Sequence, residues 1–262
     1  MRIRTSGAEL EVRVDFPPAG PVAPPLLLLN SLGADLSMWD PVVPALAAHR
    51  QLVRHDMRGH GGSSAGAGPC TVEELAADVI GLLEALDLTR ADLCGLSLGG
   101  MVAATVAARA PERVRALVLC NTAARMGRPE VYAARAEAVR RGGMAAVAEQ
   151  VLALWFTPAF RAGHPAEVER ARRMLLAQPP EGYAAACGAV GGVDLREVLP
   201  AVRARTLVVV GEADHATPPS DGEVVAAIVR GARLAAVPAA HLSSLEAGEA
   251  LAAAILRFLE EP

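Results

Sequence analysis

The sequence contains no lysine, so all 25 of its basic residues are arginine, and a lysine nucleophile or Schiff base is excluded. Cysteine is scarce. Cys70, Cys94, Cys120 and Cys187 lie far apart with no CxxC pair, so neither a disulfide scaffold nor a zinc site is expected, and a reducing cytoplasm fits that usage. No run is long and apolar enough to span a membrane, and Met1-Arg2-Ile3-Arg4-Thr5-Ser6 lacks the apolar segment of a signal peptide. The net charge is −4 and the arginines are scattered, which leaves no continuous positive face for a phosphate backbone. Neither a nucleic acid nor a membrane is therefore an expected partner.

What the chain does have is apolar bulk. With 262 residues, 52% of them apolar and 21% charged, it can bury one large core, and a single domain over 1–262 is expected. Residues 9–16 alternate polar and apolar as a half-exposed outer strand does. Leu26-Leu27-Leu28-Leu29 is continuously apolar, as a strand buried on both faces must be. The same pattern recurs at 91–96, 114–120 and 206–210. Helical periods lie between these runs, one of them opened by a capping box of Thr71 and Glu74 and running to about Leu86. Strand alternating with helix predicts an α/β fold with a mostly parallel central sheet flanked by helices. Between about 125 and 199 the alternation fails, and arginine- and alanine-rich helical stretches predict a helical lid inserted between core strands. A final helix is expected over Glu246 to Leu259.

Chemistry concentrates at Gly95-Leu96-Ser97-Leu98-Gly99-Gly100, which follows an apolar strand and precedes the helical run Met101 to Ala110. That is the setting of a nucleophile elbow, where glycines at 95 and 99 permit a sharp turn and the Ser97 hydroxyl stands clear of the sheet. A serine hydroxyl needs a base. His241 follows the short apolar stretch Leu234 to Val237 and precedes the last helix, so it falls on a loop at the carboxyl end of a strand. His55 and His60 belong to a loop better explained by internal hydrogen bonds, and His49 and His164 read as surface residues. His215 competes with His241, but it adjoins Asp214, and neighbouring loop residues seldom face each other. Asp214 follows the strand Val208-Val209-Val210-Gly211 and completes the chain order Ser, Asp, His, with Glu212 as the alternative acid. The oxyanion formed on acyl attack would be met by the backbone amides of Leu98 and Leu32.

Several stretches together resemble the 3-oxoadipate enol-lactonases of aromatic catabolism, which are α/β-hydrolases: Asn30 to Asp40, Asp56 to Gly61, Gly95 to Met101, Cys120 to Ala124, Trp155-Phe156-Thr157-Pro158, Gly211 to Pro219 and His241-Leu242-Ser243. Asn30-Ser31-Leu32-Gly33, in place of the commoner His-Gly pair, and Trp155-Phe156-Thr157-Pro158 are the narrower of these. The resemblance implies a serine hydrolase that opens a small anionic lactone without cofactor or metal. Because the chain stops at Pro262, it also implies a lactonase module alone rather than one fused to a carboxymuconolactone decarboxylase. An anionic substrate calls for a local cation, for which Arg125 and Arg161 are the candidates, with Trp155 as a pocket wall. An esterase, a carbon–carbon bond hydrolase or a cofactor-free perhydrolase would use the same triad. A non-catalytic receptor would be expected to lose part of it, and a dehalogenase or epoxide hydrolase would carry aspartate at position 97.

Overall fold

A computed structural model describes residues 1–17, 23–66, 70–126 and 128–261. Gly127, within the expected insertion, and Pro262 lie outside the described residues. Eight strands form one sheet: β1 (Arg2–Arg4), β2 (Glu9–Asp15), β3 (Ala23–Leu29), β4 (Arg50–His55), β5 (Ala91–Leu96), β6 (Val114–Cys120), β7 (Arg205–Gly211) and β8 (Arg233–Val237), in the order β1-β2-β4-β3-β5-β6-β7-β8. Within this sheet the described β1/β2 and β2/β4 pairings are antiparallel and the other five are parallel. The apolar runs at 26–29, 91–96, 114–120 and 206–210 all fall within interior parallel strands, where both faces are covered. The alternating segment forms β2, one place in from the edge, and β1 takes the edge itself.

Strand β4 breaks the apolar pattern because Arg50 and Arg54 are buried within it and neutralised there. Arg50 Nη1 donates to Asp92 at 2.9 Å, and Arg54 donates to Asp15 at 2.8 Å and to Asp40 at 2.7 Å. A buried guanidinium is tolerated only when carboxylates satisfy it in this way.

Helices α1 (Val43–Leu46), α2 (Val72–Ala85) and α3 (Leu98–Arg109) follow the strands of the first half. The capping box at the start of α2 is formed in both directions, Glu74 N to Thr71 Oγ1 at 3.1 Å and Thr71 N to Glu74 Oε2 at 2.8 Å. Between β6 and β7 lie α4 (Pro129–Gly142), α5 (Ala148–Trp155), α6 (Pro158–Gly163), α7 (Pro165–Leu176) and α8 (Pro180–Gly192). Among the described residues, the only β pairing in that span is an isolated bridge between Arg125 and Asp194. These five helices form a cap, in which α4 packs on α8 and α5 on α7.

After β7 comes α9 (Pro219–Ile228), then β8 and two helices, α10 (Ser243–Glu246) and α11 (Gly248–Glu260). The single terminal helix expected over 246–259 is thus two. The break falls at Ala247 (φ −134°, ψ 44°), just where the Glu246 carboxylate turns back to accept from the Ala240 amide at 2.8 Å. Helix α3 packs on β5, β6 and α2, α9 on β7 and β8, and α11 on α1, β7 and β8, so the sheet is flanked by helices. Among the described residues, no helix is long and apolar enough to cross a membrane.

Candidate active site

Ser97 sits where β5 stops and α3 starts, with φ 57° and ψ −117°. A non-glycine residue in that region is strained and persists only where its surroundings fix it. The fixing contacts are specific: Ser97 N donates to the Cys120 carbonyl at 2.9 Å, and Thr122 Oγ1 donates to the Ser97 carbonyl at 2.8 Å. Glycine spacing allows the turn. A Cβ at position 95 would overlap the Gly99 carbonyl, and one at 99 would overlap the Leu29 carbonyl of β3. Among the described residues the Ser97 hydroxyl has no hydrogen-bond partner, and it faces a cavity of about 620 Å³.

His241 lines the same cavity from the loop after β8. Its Nδ1 stands 2.8 Å from Asp214 Oδ2 on the loop after β7. The carboxylate also accepts Thr217 Oγ1 and Asn121 Nδ2 at Oδ2, at 2.8 and 2.9 Å, and the Ala216 and Thr217 amides at Oδ1. Burial opposes ionisation of Asp214, but His241 and these donors outweigh it, and its pKa lies below the ordinary 3.8. An ionised acceptor assigns the imidazole proton to Nδ1, which leaves the Nε2 lone pair for a proton from elsewhere. Glu212 and His215 are both exposed, and neither joins this network.

Two backbone amides complete the arrangement. Leu98 N belongs to the first turn of α3 and has no intrahelical acceptor. Leu32, between β3 and the turn at Leu36–Trp39, lines the cavity. Among the described residues neither amide is bonded to the protein. The loop carrying Leu32 is held by His60, whose Nε2 accepts the Gly33 amide at 3.1 Å while Nδ1 lies 3.3 Å from the Arg58 carbonyl. Burial pushes the His60 pKa down to about 4, so the ring stays neutral and keeps its acceptor. His60 thus serves internal hydrogen bonding, as its loop context suggests.

The cap supplies the rest of the wall. Trp155, at the end of α5, lines the cavity, and its carbonyl accepts the Leu242 amide at 3.0 Å, beside His241. Phe156 packs edge-on against Trp155 with ring centroids 6.5 Å apart and is buried away from the cavity. Glu246 ties cap to core, since its carboxylate accepts Ala240 N, Thr157 N and the Thr157 hydroxyl. Arg125 lines the cavity but is half exposed and paired with Asp194 at 3.7 Å. Arg161, in the last turn of α6, lies outside the lining, as do all the residues of α6. Arg128 and Arg135 are the other lining cations. Both belong to the stretch where helical periodicity alone does not tell which face meets the cavity.

Asn121, within the Cys120 to Ala124 stretch, is a further member of the site that its residue type alone does not mark. It takes a positive φ of 46° after β6, which asparagine tolerates better than most residues. From there its amide reaches Asp214 and the Ala240 carbonyl, while its Oδ1 accepts Ser243 Oγ at 2.6 Å. It links the Asp214 loop to the His241 loop. The signal available in the sequence was a polar residue at the end of a buried parallel strand.

The family model described as the alpha/beta hydrolase fold matches residues 24–248. A 3-oxoadipate enol-lactonase of Acinetobacter baylyi is 35% identical over 87% of this chain and 85% of its own length. The crystal structure of the enol-lactonase from Burkholderia xenovorans LB400 superposes with a TM-score of 0.96 at 41% identity and full coverage of both chains. A thermophilic esterase from Thermogutta terrifontis, described with malate bound, superposes at 0.92 with 31% identity, again covering both chains completely.

Proposed function

The chain belongs to the 3-oxoadipate enol-lactonase family of α/β-hydrolases and is a hydrolase, and we propose that it opens 3-oxoadipate enol-lactone to 3-oxoadipate, with Ser97 as nucleophile, His241 as general base and Asp214 orienting the histidine. The observation that carries this reading is the 2.8 Å contact of His241 Nδ1 with Asp214, in a cavity that His241 shares with Ser97 and Leu32.

In the proposed reaction Ser97 Oγ forms a bond to the lactone carbonyl carbon and its proton passes to His241 Nε2. The carbonyl oxygen takes the negative charge and is met by the Leu32 and Leu98 amides, which carry no competing protein acceptor. Collapse breaks the ring C–O bond. The leaving oxygen is an enol oxygen that takes the proton from His241 and tautomerises to a ketone, which draws the product away from re-closure. A water, deprotonated by His241, then attacks the acyl carbon, and as the C–O bond to Ser97 breaks the Oγ takes the proton back from His241 and the acyl group leaves as a carboxylate. Binding energy from the cap is useful here because it holds the lactone close to the hydroxyl before attack.

The test is hydrolysis of the enol-lactone followed by loss of its absorbance, beside a neutral aryl ester. Wild type is expected to prefer the lactone, and Ser97→Ala to lose about 10⁵-fold in kcat on both substrates. Fast aryl-ester turnover without lactone opening would replace the reading with that of an esterase. The esterase relative described with malate bound favours a pocket that accepts carboxylates under either reading.

A further inference from the structure

We propose that Arg135, with the Tyr183 hydroxyl beside it, forms the subsite that holds a substrate carboxylate in this cavity, in preference to Arg125 or Arg161; the proposal rests on the enol-lactonase reading for the identity of the substrate, but not for the existence of the subsite.

Arg135 and Tyr132 lie three residues apart on α4 and so share a face, and the guanidinium carbon stands 5.3 Å from the centroid of the Tyr132 ring. Tyr183 comes from α8, which packs on α4. All three side chains line the cavity that contains Ser97 and His241. Arg135 Nε and Tyr183 Oη are both buried without a hydrogen bond of good geometry, and the Arg135 side chain lies close enough to the phenol to act on it. Among the described residues Arg135 also has no carboxylate partner. The arginines buried in the core differ from half-buried Arg135 in having a counter-charge, since Arg50, Arg54 and Arg58 are each matched to aspartate at 2.9 Å or less, although Arg50 also leaves its Nε unpartnered.

A buried donor without an acceptor is costly unless something else supplies one, and Arg135 Nε and Tyr183 Oη are two such donors on one wall of the cavity. A carboxylate does so economically, because its two oxygens match the guanidinium fork and leave a lone pair for a phenol. Burial pushes the Tyr183 pKa up, against the opposing influence of Arg135, so the side chain stays a neutral donor and does not repel an anion. Arg125 fits the role less well, being half exposed and already paired with Asp194. Gly33 explains how the aromatic wall reaches the nucleophile: a Cβ there would meet Tyr183 and Leu175 at 2.9 Å, so the Leu32–Gly33 loop packs directly under the subsite.

The experiment is calorimetric titration of adipate, a dicarboxylate of the same chain length as the proposed product, into wild type, Arg135→Gln, Arg135→Lys, Tyr183→Phe and Arg125→Ala. KM for the enol-lactone is measured on the same proteins. Adipate is expected to bind wild type, to lose at least about tenfold in affinity in Arg135→Gln, and to recover part of that loss in Arg135→Lys. Tyr183→Phe should weaken binding by less, and Arg125→Ala by less than Arg135→Gln. Melting curves identify any variant that fails to fold, and Arg135→Lys, which keeps the charge, then carries the comparison. Undetectable adipate binding by wild type, or equal affinity in wild type and a folded Arg135→Gln, would overturn the subsite. If the enol-lactone is not turned over while adipate still binds in an Arg135-dependent way, the substrate assignment fails and the subsite stands.

Discussion

The carboxyl end of the sheet and the cap above it are built on opposite electrostatic plans. At the sheet end the groups that support the site are matched at short range: Asp214 accepts five hydrogen bonds, Asn121 spans two loops, and a neutral His60 holds Gly33. In the cap the ion pairs are exposed, as with Arg140 and Glu181 or Arg172 and Glu149, while Arg135, facing the cavity, has no acidic partner among the described residues. Exposed pairs contribute little to stability. Groups tied together before any substrate arrives thus sit at the end of the sheet, whereas under the proposed subsite recognition falls to cap helices whose cation a ligand would complete.

That contrast is broken most strongly with acid. His55 and His60 are buried neutral, with pKa values pushed down to about 4 by burial, whereas the unfolded chain takes up these protons near 6.5. Their contribution is fully present above pH 6.5 and is lost as the pH falls from there to about 4, on the order of 3 kcal/mol for each histidine. Asp56 acts in the opposite sense. Burial raises it to about 6, so its native form takes up a proton first, and it returns a comparable amount over the same window. The net expectation is a fall of about 3 kcal/mol between pH 7 and pH 4, read from urea midpoints at constant ionic strength. Raising salt to 1 M at pH 7 should change the midpoint far less, because it screens mainly the exposed pairs of the cap. A flat profile over that pH range would contradict the neutral, buried histidines.

A smaller effect sharpens the boundary between the two regions. Glu246 is where the cap is fastened to the His241 loop, through Thr157 and Ala240. Glu246→Ala is expected to cost about 2 kcal/mol of stability, since truncating a partner of charge-assisted hydrogen bonds strands its donors. Glu246→Gln, which keeps one acceptor oxygen, should cost less. The ordering alanine below glutamine below wild type in melting temperature checks the clamp, and equal melting temperatures would remove it.

How much of this was legible beforehand depended on whether the determining contacts were local. The elbow was legible because its glycine spacing is local: Gly95 clears the Gly99 carbonyl within the turn itself, although Gly99 in turn clears the backbone of β3. Asp214 and His241 were legible as polar residues on the loops that follow two strands of the sheet, the buried β7 and the largely exposed β8. Strand β4 was not, because Arg50 and Arg54 imitate a surface segment and their aspartates come from positions 15, 40 and 92. The break at Ala247 depended on Thr157 and Ala240, and the presence of Arg135 and absence of Arg161 in the cavity wall depended on which faces of the cap helices meet the cavity. Both are tertiary facts that a residue pattern does not encode.

The central claim is that Ser97 is the atom acylated, and the most direct measurement is intact mass with peptide mapping of protein quenched in acid during turnover of an aryl ester or the enol-lactone. The account predicts one acyl adduct, located on Ser97 and missing from Ser97→Ala. An adduct on another residue, or turnover that survives in Ser97→Ala at the wild-type rate, would contradict it.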